Sequence, residues 1–186
     1  MNRHAITAVG LTLASFILMP FSALATNLEM SSPVLLAQAT ARADFSGTWI
    51  LDLNASESFG PLLESYGVGP VQRRLVDNTQ VTQMISQSEQ ALTITVKTPY
   101  NTRTEEVLLD GTPQSQQGQL GSYTATSRWS EDGGAIISEA VLNGQNGESA
   151  NLTLRRYLEG DTMVQQMQLQ FQDGRTYSVD RVFRKG

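Results

Sequence analysis

Two arginines fall on strand-like faces that are otherwise apolar, and their placement predicts chemistry. In the last alternating segment, Arg181 shares a face with Tyr177 and Phe183. In an earlier segment, Arg156 falls on a face formed by leucines. A guanidinium enclosed among apolar groups is costly unless acceptors surround it, and its planar fork suits a carboxylate. Both positions therefore predict contact with an anionic group, or with a stack of acceptors, inside a folded sheet.

Most hydrolytic mechanisms lack the residues they need. The chain has no cysteine and one histidine, His4, which lies in a segment that we expect to be removed. A Ser-His-Asp triad, a Cys-His pair and the usual zinc site are then excluded. Adjacent Glu105 and Glu106 point to opposite faces of one strand, so we interpret them as a solvated feature and not an acid/base pair. The sequence predicts no enzyme, no metal site and no cofactor.

The N-terminus has the pattern of a secretory signal peptide. A basic start at Arg3 is followed by an apolar run and by the small-residue exit Ala23-Leu24-Ala25. We place cleavage after Ala25, and residues 26–43 are then a flexible linker. The mature protein is predicted to be periplasmic or secreted, without stable membrane insertion.

Charge narrows the range of partners. The whole chain has 13 basic and 18 acidic residues, and loss of Arg3 changes its net charge from −5 to −6. An acidic surface argues against nucleic acid as a partner. We expect a monomer.

The segment Phe45–Leu53 predicts the strand around which the fold is arranged. Gly47 and Trp49 fall on one face of it, so the glycine leaves room for a neighbouring group to approach the indole. The alternation then breaks, and a serine cap at Ser56 or Ser58, together with Pro61 and Pro70, predicts two short helices. Helices this short do not persist alone in water, so we expect them to lie on the sheet.

From Thr79 to Lys185 the alternation returns, interrupted by turn residues such as Asp110-Gly111. Counting the opening strand, nine segments are strongly patterned, and a tenth, Thr112–Leu120, is polar and predicts at most a weak edge strand. Strands joined in order by tight turns form a meander, which removes its edges by closing. The predicted fold, over residues 44–186, is all-β: an antiparallel meander β-barrel of nine to ten strands with a helix-turn-helix lid between strands 1 and 2.

Five motifs carry a resemblance to known proteins: Phe45-Ser46-Gly47-Thr48-Trp49, Ser56-Glu57-Ser58-Phe59, Tyr66-Gly67-Val68-Gly69, Arg73-Arg74-Leu75 and Asp180-Arg181-Val182-Phe183-Arg184-Lys185. They resemble motifs of the lipocalin and fatty-acid-binding (calycin) barrels, and their layout is most similar to that of fatty-acid-binding proteins. Because of the N-terminal signal pattern, we expect a signal-bearing bacterial relative of lipocalin-like type.

The resemblance implies a ten-stranded barrel that encloses a fatty acid or a similar anionic amphiphile. Arg181 matches the last-strand arginine that binds the ligand carboxylate, and Phe183 stands where the family has tyrosine. The family's other carboxylate-binding arginine lies on the third strand from the end, which we place at Ala135–Leu142, where Glu139 stands instead. Tyr100 falls near the bulky aromatic at the portal between lid and barrel.

Several roles have two interpretations. Arg181 either contacts ligand or packs over Trp49 and closes one end of the barrel. Arg156 either contacts ligand or has a structural role, as a rim residue or in a pair with Glu139. The alternating face that includes Met167 is either a pliable cavity wall or a plain core.

The sequence predicts an extracytoplasmic protein that binds a small hydrophobic or amphipathic, including carboxylate-bearing, ligand. The alternative is a barrel with a filled interior that acts through its surface, as an envelope interaction module or an inhibitor. The predicted ligand-binding residues are Arg181, Phe183, Tyr177, Arg156, Tyr100 and Met167, with Gly47 and Trp49 structural.

Overall fold

The structure, a computed structural model, describes residues 41–65, 67–118, 121–143 and 149–186. The predicted signal peptide and residues 26–40 of the predicted linker lie outside these ranges and stay predictions. The strands are β1 (Gly47–Leu51), β2 (Thr82–Gln87), β3 (Ala91–Lys97), β4 (Thr102–Leu108), β5 (Gln114–Gly118), β6 (Gly121–Trp129), β7 (Ala135–Asn143), β8 (Ser149–Glu159), β9 (Thr162–Phe171) and β10 (Thr176–Lys185). The helices are α1 (Gly60–Ser65) and α2 (Pro70–Asp77).

All ten strands belong to one antiparallel sheet, in the order β4-β3-β2-β1-β10-β9-β8-β7-β6-β5. β1 pairs with both β2 and β10, which joins the first strand to the last. The two ends of the sheet meet through side chains and loops: the Leu108 N–H donates to Gln114 Oε1 at 3.1 Å, and the Gly111 N–H to the Ser127 carbonyl at 2.9 Å. The result is a nearly closed barrel, which confirms the predicted fold class. The weak strand predicted at Thr112–Leu120 is β5, at one end of the sheet.

The two helices form the predicted lid between β1 and β2. Ser58 lies two residues before α1, and its Oγ accepts the N–H of Gly60, the first helical residue, at 2.8 Å. Asp77, the last residue of α2, accepts the Phe59 N–H at 2.8 Å and the Ser58 hydroxyl, so it ties the end of one helix to the start of the other. The two leucines of α1 are each 3% exposed, and they hold the lid on the barrel. No helix in the described ranges has the length and hydropathy needed to cross a bilayer.

Inward-facing side chains form two apolar clusters, one at each end of the barrel. The floor cluster contains Phe45, Trp49, Leu51, Ile85, Leu92, Ile94, Leu109, Ile136, Met163 and Phe183. The lid cluster contains Phe59, Leu62, Leu63, Ala150, Leu152, Met167, Leu169, Phe171 and Val179. Burial of these side chains is the main source of stability in the fold.

Candidate binding site

A band of polar side chains crosses the barrel between the two clusters. On β9, Met163 belongs to the floor cluster and Met167 to the lid cluster, and Gln165 lies between them. Arg156 on β8 and Arg181 on β10 hold the corresponding positions, because the strands pair in register there. Residues of β2, β4, β6 and β7 complete the band. We name it the polar layer: Gln83, Arg103, Glu105, Ser127, Ser138, Arg156, Gln165 and Arg181.

Arg156 is one of two buried arginines of the polar layer, with 8% of the residue exposed. With the Gln165 amide oxygen turned toward the guanidinium, Arg156 donates to it from Nε at 3.1 Å and from Nη2 at 2.6 Å. Burial lowers the pKa of Arg156 to about 10, and Glu105 opposes that shift, so the side chain stays charged at neutral pH. The predicted pairing of Arg156 with Glu139 is wrong. Its carboxylate pairs with Arg128 at 2.8 Å, and half of each side chain is exposed.

The strand that carries Arg156 also corrects the position proposed for the family's second arginine. Three strands, β8, β9 and β10, follow β7, so the third strand from the C-terminus is β8 and not Ala135–Leu142, which lies in β7. β8 has a buried arginine, Arg156, where the resemblance requires one. The conclusion that Glu139 replaces it was therefore wrong.

Glu105 is enclosed, contrary to the prediction of a solvated pair. Its side chain is 9% exposed, and its Oε2 lies 3.2 Å from Arg103 Nη2. Burial raises the pKa of Glu105 from 4.5 to about 7, although Arg103 and Arg156 act in the opposite direction. The predicted opposite orientations are confirmed, because Glu106 is exposed. Alternation with Val107 and Leu109, which pack on the floor cluster, is the sequence signal that would have placed Glu105 inside.

We expect Glu105 to make the stability of the barrel depend on pH. Because its pKa is raised in the folded state, folding favours the protonated carboxyl, and this contribution is lost as the pH rises from 4.5 through 7. Between pH 5 and pH 7 the loss amounts to about 2 kcal/mol. Urea unfolding of wild type and Glu105→Gln at both pH values measures it. The exposed neighbour Glu106→Gln is the matched control.

We expect the free energy of unfolding to fall between pH 5 and pH 7 in wild type and in Glu106→Gln. In Glu105→Gln this fall is expected to be absent. Carboxyls such as Asp52, whose pKa is held below its usual range chiefly by a hydrogen bond from Arg184, affect stability at lower pH. If the free energy of unfolding falls equally with pH in both variants, Glu105 is not the group that causes the pH dependence.

A cavity of about 70 Å³ opens beside Glu105 and Arg156. It has room for roughly five water-sized groups. Polar groups from Ser127 and Ser138 line one part, and the two hydroxyls are 2.7 Å apart. The rest of the lining is largely apolar and includes Leu152, Leu154, Ile94, Ile136, Val107 and Ala140. The cavity thus offers charged and apolar walls to the same occupant.

Arg181 does not pack over Trp49, so that prediction was wrong. Its guanidinium lies 4.7 Å from the centre of the Phe59 ring, and Nη1 donates to the Glu57 carbonyl at 2.9 Å. Lys185 occupies the predicted place, with its Nζ 5.5 Å from the centre of the Trp49 ring. The register explains the exchange, because β1 pairs Trp49 with Lys185, and Arg181 lies roughly 13 Å further along the strand.

Gly47 provides the space predicted for a group beside the indole. A Cβ at this position would lie 3.4 Å from Lys185 Cε, and the backbone φ of +125° also favours glycine. The neighbouring Trp49 is 2% exposed and belongs to the floor cluster. The structural role of the two residues stays a prediction.

The remaining predicted ligand-binding residues lie away from the cavity within the described part of the chain. Phe183 is in the floor cluster and Met167 in the lid cluster. Tyr177 packs edge-on against Phe171 beside the lid cluster, with ring centres 5.8 Å apart. Tyr100 is 72% exposed at the turn between β3 and β4. Of the six predicted residues, only Arg156 lines the cavity.

A ten-stranded, nearly closed antiparallel barrel with two short helices between its first and second strands is the architecture of the fatty-acid-binding proteins, one branch of the calycins. Solved structures show the same fold. The REP1-NXSQ fatty acid transporter is 22% identical, covers 76% of this chain and 95% of its own, and superposes with a TM-score of 0.57.

Two further structures agree with this architecture. Apo Caenorhabditis elegans lipid binding protein 8 is 20% identical over 76% of this chain and 95% of its own, with a TM-score of 0.58. Human cRBP IV is 16% identical over 77% of this chain and 99% of its own, with a TM-score of 0.57. No family model and no curated protein sequence matches the chain. The likeness is therefore one of fold.

Proposed function

We propose that this protein binds, outside the cytoplasm, a small amphipathic ligand that carries a carboxylate. The observation that carries the proposal is the cavity, in which Arg156 projects among apolar side chains in the barrel interior. The ligand carboxylate lies at the polar layer, and its hydrocarbon part lies against Leu152 and Leu154 toward the lid cluster. The protein acts as a monomeric carrier without catalysis.

The charge of the polar layer supports an anionic ligand. Arg156 is an enclosed cation that donates to the neutral Gln165 amide, and Glu105, the carboxyl that attracts it, is itself paired with Arg103. An anion that enters beside Arg156 is stabilised by this charge, because an enclosed cation favours a nearby counter-charge. Fold neighbours whose names denote a fatty acid transporter and a lipid binding protein support the same class of ligand.

The size of the cavity limits how the ligand enters. A volume of about 70 Å³ holds a head group and a few carbons, so a longer chain requires movement of lid-cluster side chains. Met167 lies in that cluster, and its unbranched thioether adapts more readily than a branched side chain. The N-terminal pattern Met1–Ala25 supports the proposed location outside the cytoplasm.

A barrel that acts through its surface is the second candidate. The floor cluster has several members with no exposed surface, such as Phe45 and Met163, and the members of the lid cluster are each at most 8% exposed. This tight packing favours an interaction module or inhibitor. The two candidates differ in whether an amphiphile enters the protein.

Titration with octanoate and dodecanoate, followed by calorimetry, tests the proposal, and mass spectrometry of the gently purified protein tests for a co-purified lipid. We expect Arg156→Met to weaken carboxylate binding about 10- to 100-fold, because charge-assisted hydrogen bonds are lost. Arg155→Met is the matched control, since Arg155 faces outward and stacks on Tyr157 at 4.5 Å.

Equal affinity in wild type and Arg156→Met would place the ligand elsewhere. A folded wild-type protein that binds neither acid and carries no lipid would favour the surface-acting barrel instead.

A further inference from the structure

We propose that Glu105 takes up a proton when a carboxylate-bearing amphiphile enters the cavity, so that the ligand is held by a shared proton as well as by Arg156. The inference rests on the proposed function and identifies the residue that makes binding depend on pH. The proton comes from solvent and is bound by the Glu105 carboxyl. No covalent bond of the ligand is made or broken.

Geometry brings the two carboxyl groups together. Glu105 on β4 and Arg156 on β8 line the same cavity of about 70 Å³. A carboxylate that reaches the Arg156 guanidinium in so small a space lies close to Glu105 as well. Two carboxylates that share one poorly solvated site do not both stay ionised, and one of them holds a proton.

The groups around Glu105 determine the direction of the effect. Arg103 on the same strand and Arg156 on β8 favour its ionised form. Tyr123 on β6 and Glu139 on β7 are the other titratable residues that line the cavity, and the Glu139 carboxylate is paired with Arg128. The facing side chain on β3, Ile94, is apolar.

The other charged and amide side chains of the polar layer, among the described residues, leave this balance unchanged. Gln83 on β2 and Gln165 on β9 are neutral amides, and Gln83 Nε2 donates to the same Gln165 oxygen at 3.2 Å. Arg181 on β10 is turned toward Phe59. An incoming anion therefore shares the attraction of Arg156 and displaces water from around Glu105. Both changes favour the protonated carboxyl.

The state of the ligand-free protein makes the uptake measurable. Burial already places the pKa of Glu105 at about 7, so near neutral pH the group is partly ionised and able to accept a proton. Free carboxylates of fatty acids are ionised across pH 6 to 8, so they do not supply this proton. By linkage, uptake of a proton on binding means that affinity falls as the pH rises.

Calorimetric titration of the full chain with octanoate measures the affinity and the number of protons taken up on binding. The titration is done at pH 6, 7 and 8, in pairs of buffers with different ionisation enthalpies. We expect affinity to fall about 5- to 10-fold from pH 6 to pH 8, with uptake approaching one proton per ligand at pH 8. Titration with 1-octanol, which carries no charge, is expected to show a smaller pH dependence.

Two variants assign the effect to one residue. Glu105→Gln is expected to bind octanoate with an affinity that does not change over this range and without proton uptake. Glu106→Gln, altered on the outer face of the same strand, is expected to behave as wild type. If Glu105→Gln does not fold, the buffer-pair measurement on wild type decides whether a proton is taken up.

Octanoate binding to wild type with constant affinity and no uptake would overturn this inference and leave the proposed function standing. A pH dependence that persists in Glu105→Gln would overturn it too. Failure of both octanoate and 1-octanol to bind at any pH would overturn the proposed function, and the inference with it.

Discussion

Replacing Trp49 with alanine is expected to lower the free energy of unfolding by about 3–5 kcal/mol, as truncation of a large buried aromatic does. Trp49 is 2% exposed in the floor cluster, and its Nε1 donates to the Phe45 carbonyl at 2.8 Å. The substitution removes the ring and leaves that carbonyl without its donor. Because β1 joins β2 to β10, a cavity at this point weakens the seam that closes the barrel. Urea unfolding followed by circular dichroism measures the loss.

Ile50→Ala provides the control, since Ile50 is the next residue on the same strand and is 41% exposed on the outer face. It is expected to change stability by about 1 kcal/mol or less. Trp49→Ala and Ile50→Ala both replace a strand-favouring residue, but only the first removes a buried side chain. Similar losses of stability in the two variants would therefore contradict a role for Trp49 in the packing of the floor cluster.

Replacing Arg181 with methionine is expected to release the lid at a cost of about 3 kcal/mol. The change keeps an unbranched apolar side chain but removes the hydrogen bond from Nη1 to the Glu57 carbonyl and the stacking on Phe59. A hydrogen bond from a charged group contributes about 1.5–3 kcal/mol, and a cation over an aromatic ring about 0.5–2 kcal/mol. Amide hydrogen exchange is the informative measurement, because it locates the loss.

We expect faster exchange in α1 and α2, with the strands of the barrel less affected. Arg184→Met is the control, because Arg184 is 63% exposed and pairs with Asp52 outside the barrel, where an ion pair contributes about 0–1 kcal/mol. Unchanged protection of α1 and α2 in Arg181→Met would contradict the lid role. A loss of octanoate binding with the lid intact would assign Arg181 to the ligand instead.

Local patterns in the sequence were sufficient to predict the elements of the fold. Alternating side chains mark the strands, and Ser58 and Pro70 mark the helix starts, because cap and proline geometry depend on the nearest few residues. The same period of two placed Arg156 and Arg181 on the inner face of the sheet. The alternation could not identify the partners of the two arginines. It determines the face of the sheet on which a side chain lies, but not its position along the barrel axis.

The wrong predictions at the site arise because the position of each side chain along the barrel axis was not known. Arg181 and Lys185 share one face, and only the register of β1 against β10 shows that Lys185 meets Trp49. Glu105 acts on Arg156 from β4 to β8, which the sheet order separates by five strands and which barrel closure brings together. No pattern within a single strand carries that information.

The pairing of β1 with β10 also determines when the chain can finish folding. Trp49 and Lys185 are partners although they lie at opposite ends of the described chain, so this seam forms only after β10 is complete. The pairs β8 with β9 and β9 with β10 are local in sequence and close short loops, whereas the seam requires the ordering of nearly the whole chain. A chain in which β10 has not yet paired consequently exposes the open edges of β1 and β9, and it stays vulnerable to pairing with other chains until that strand is in place.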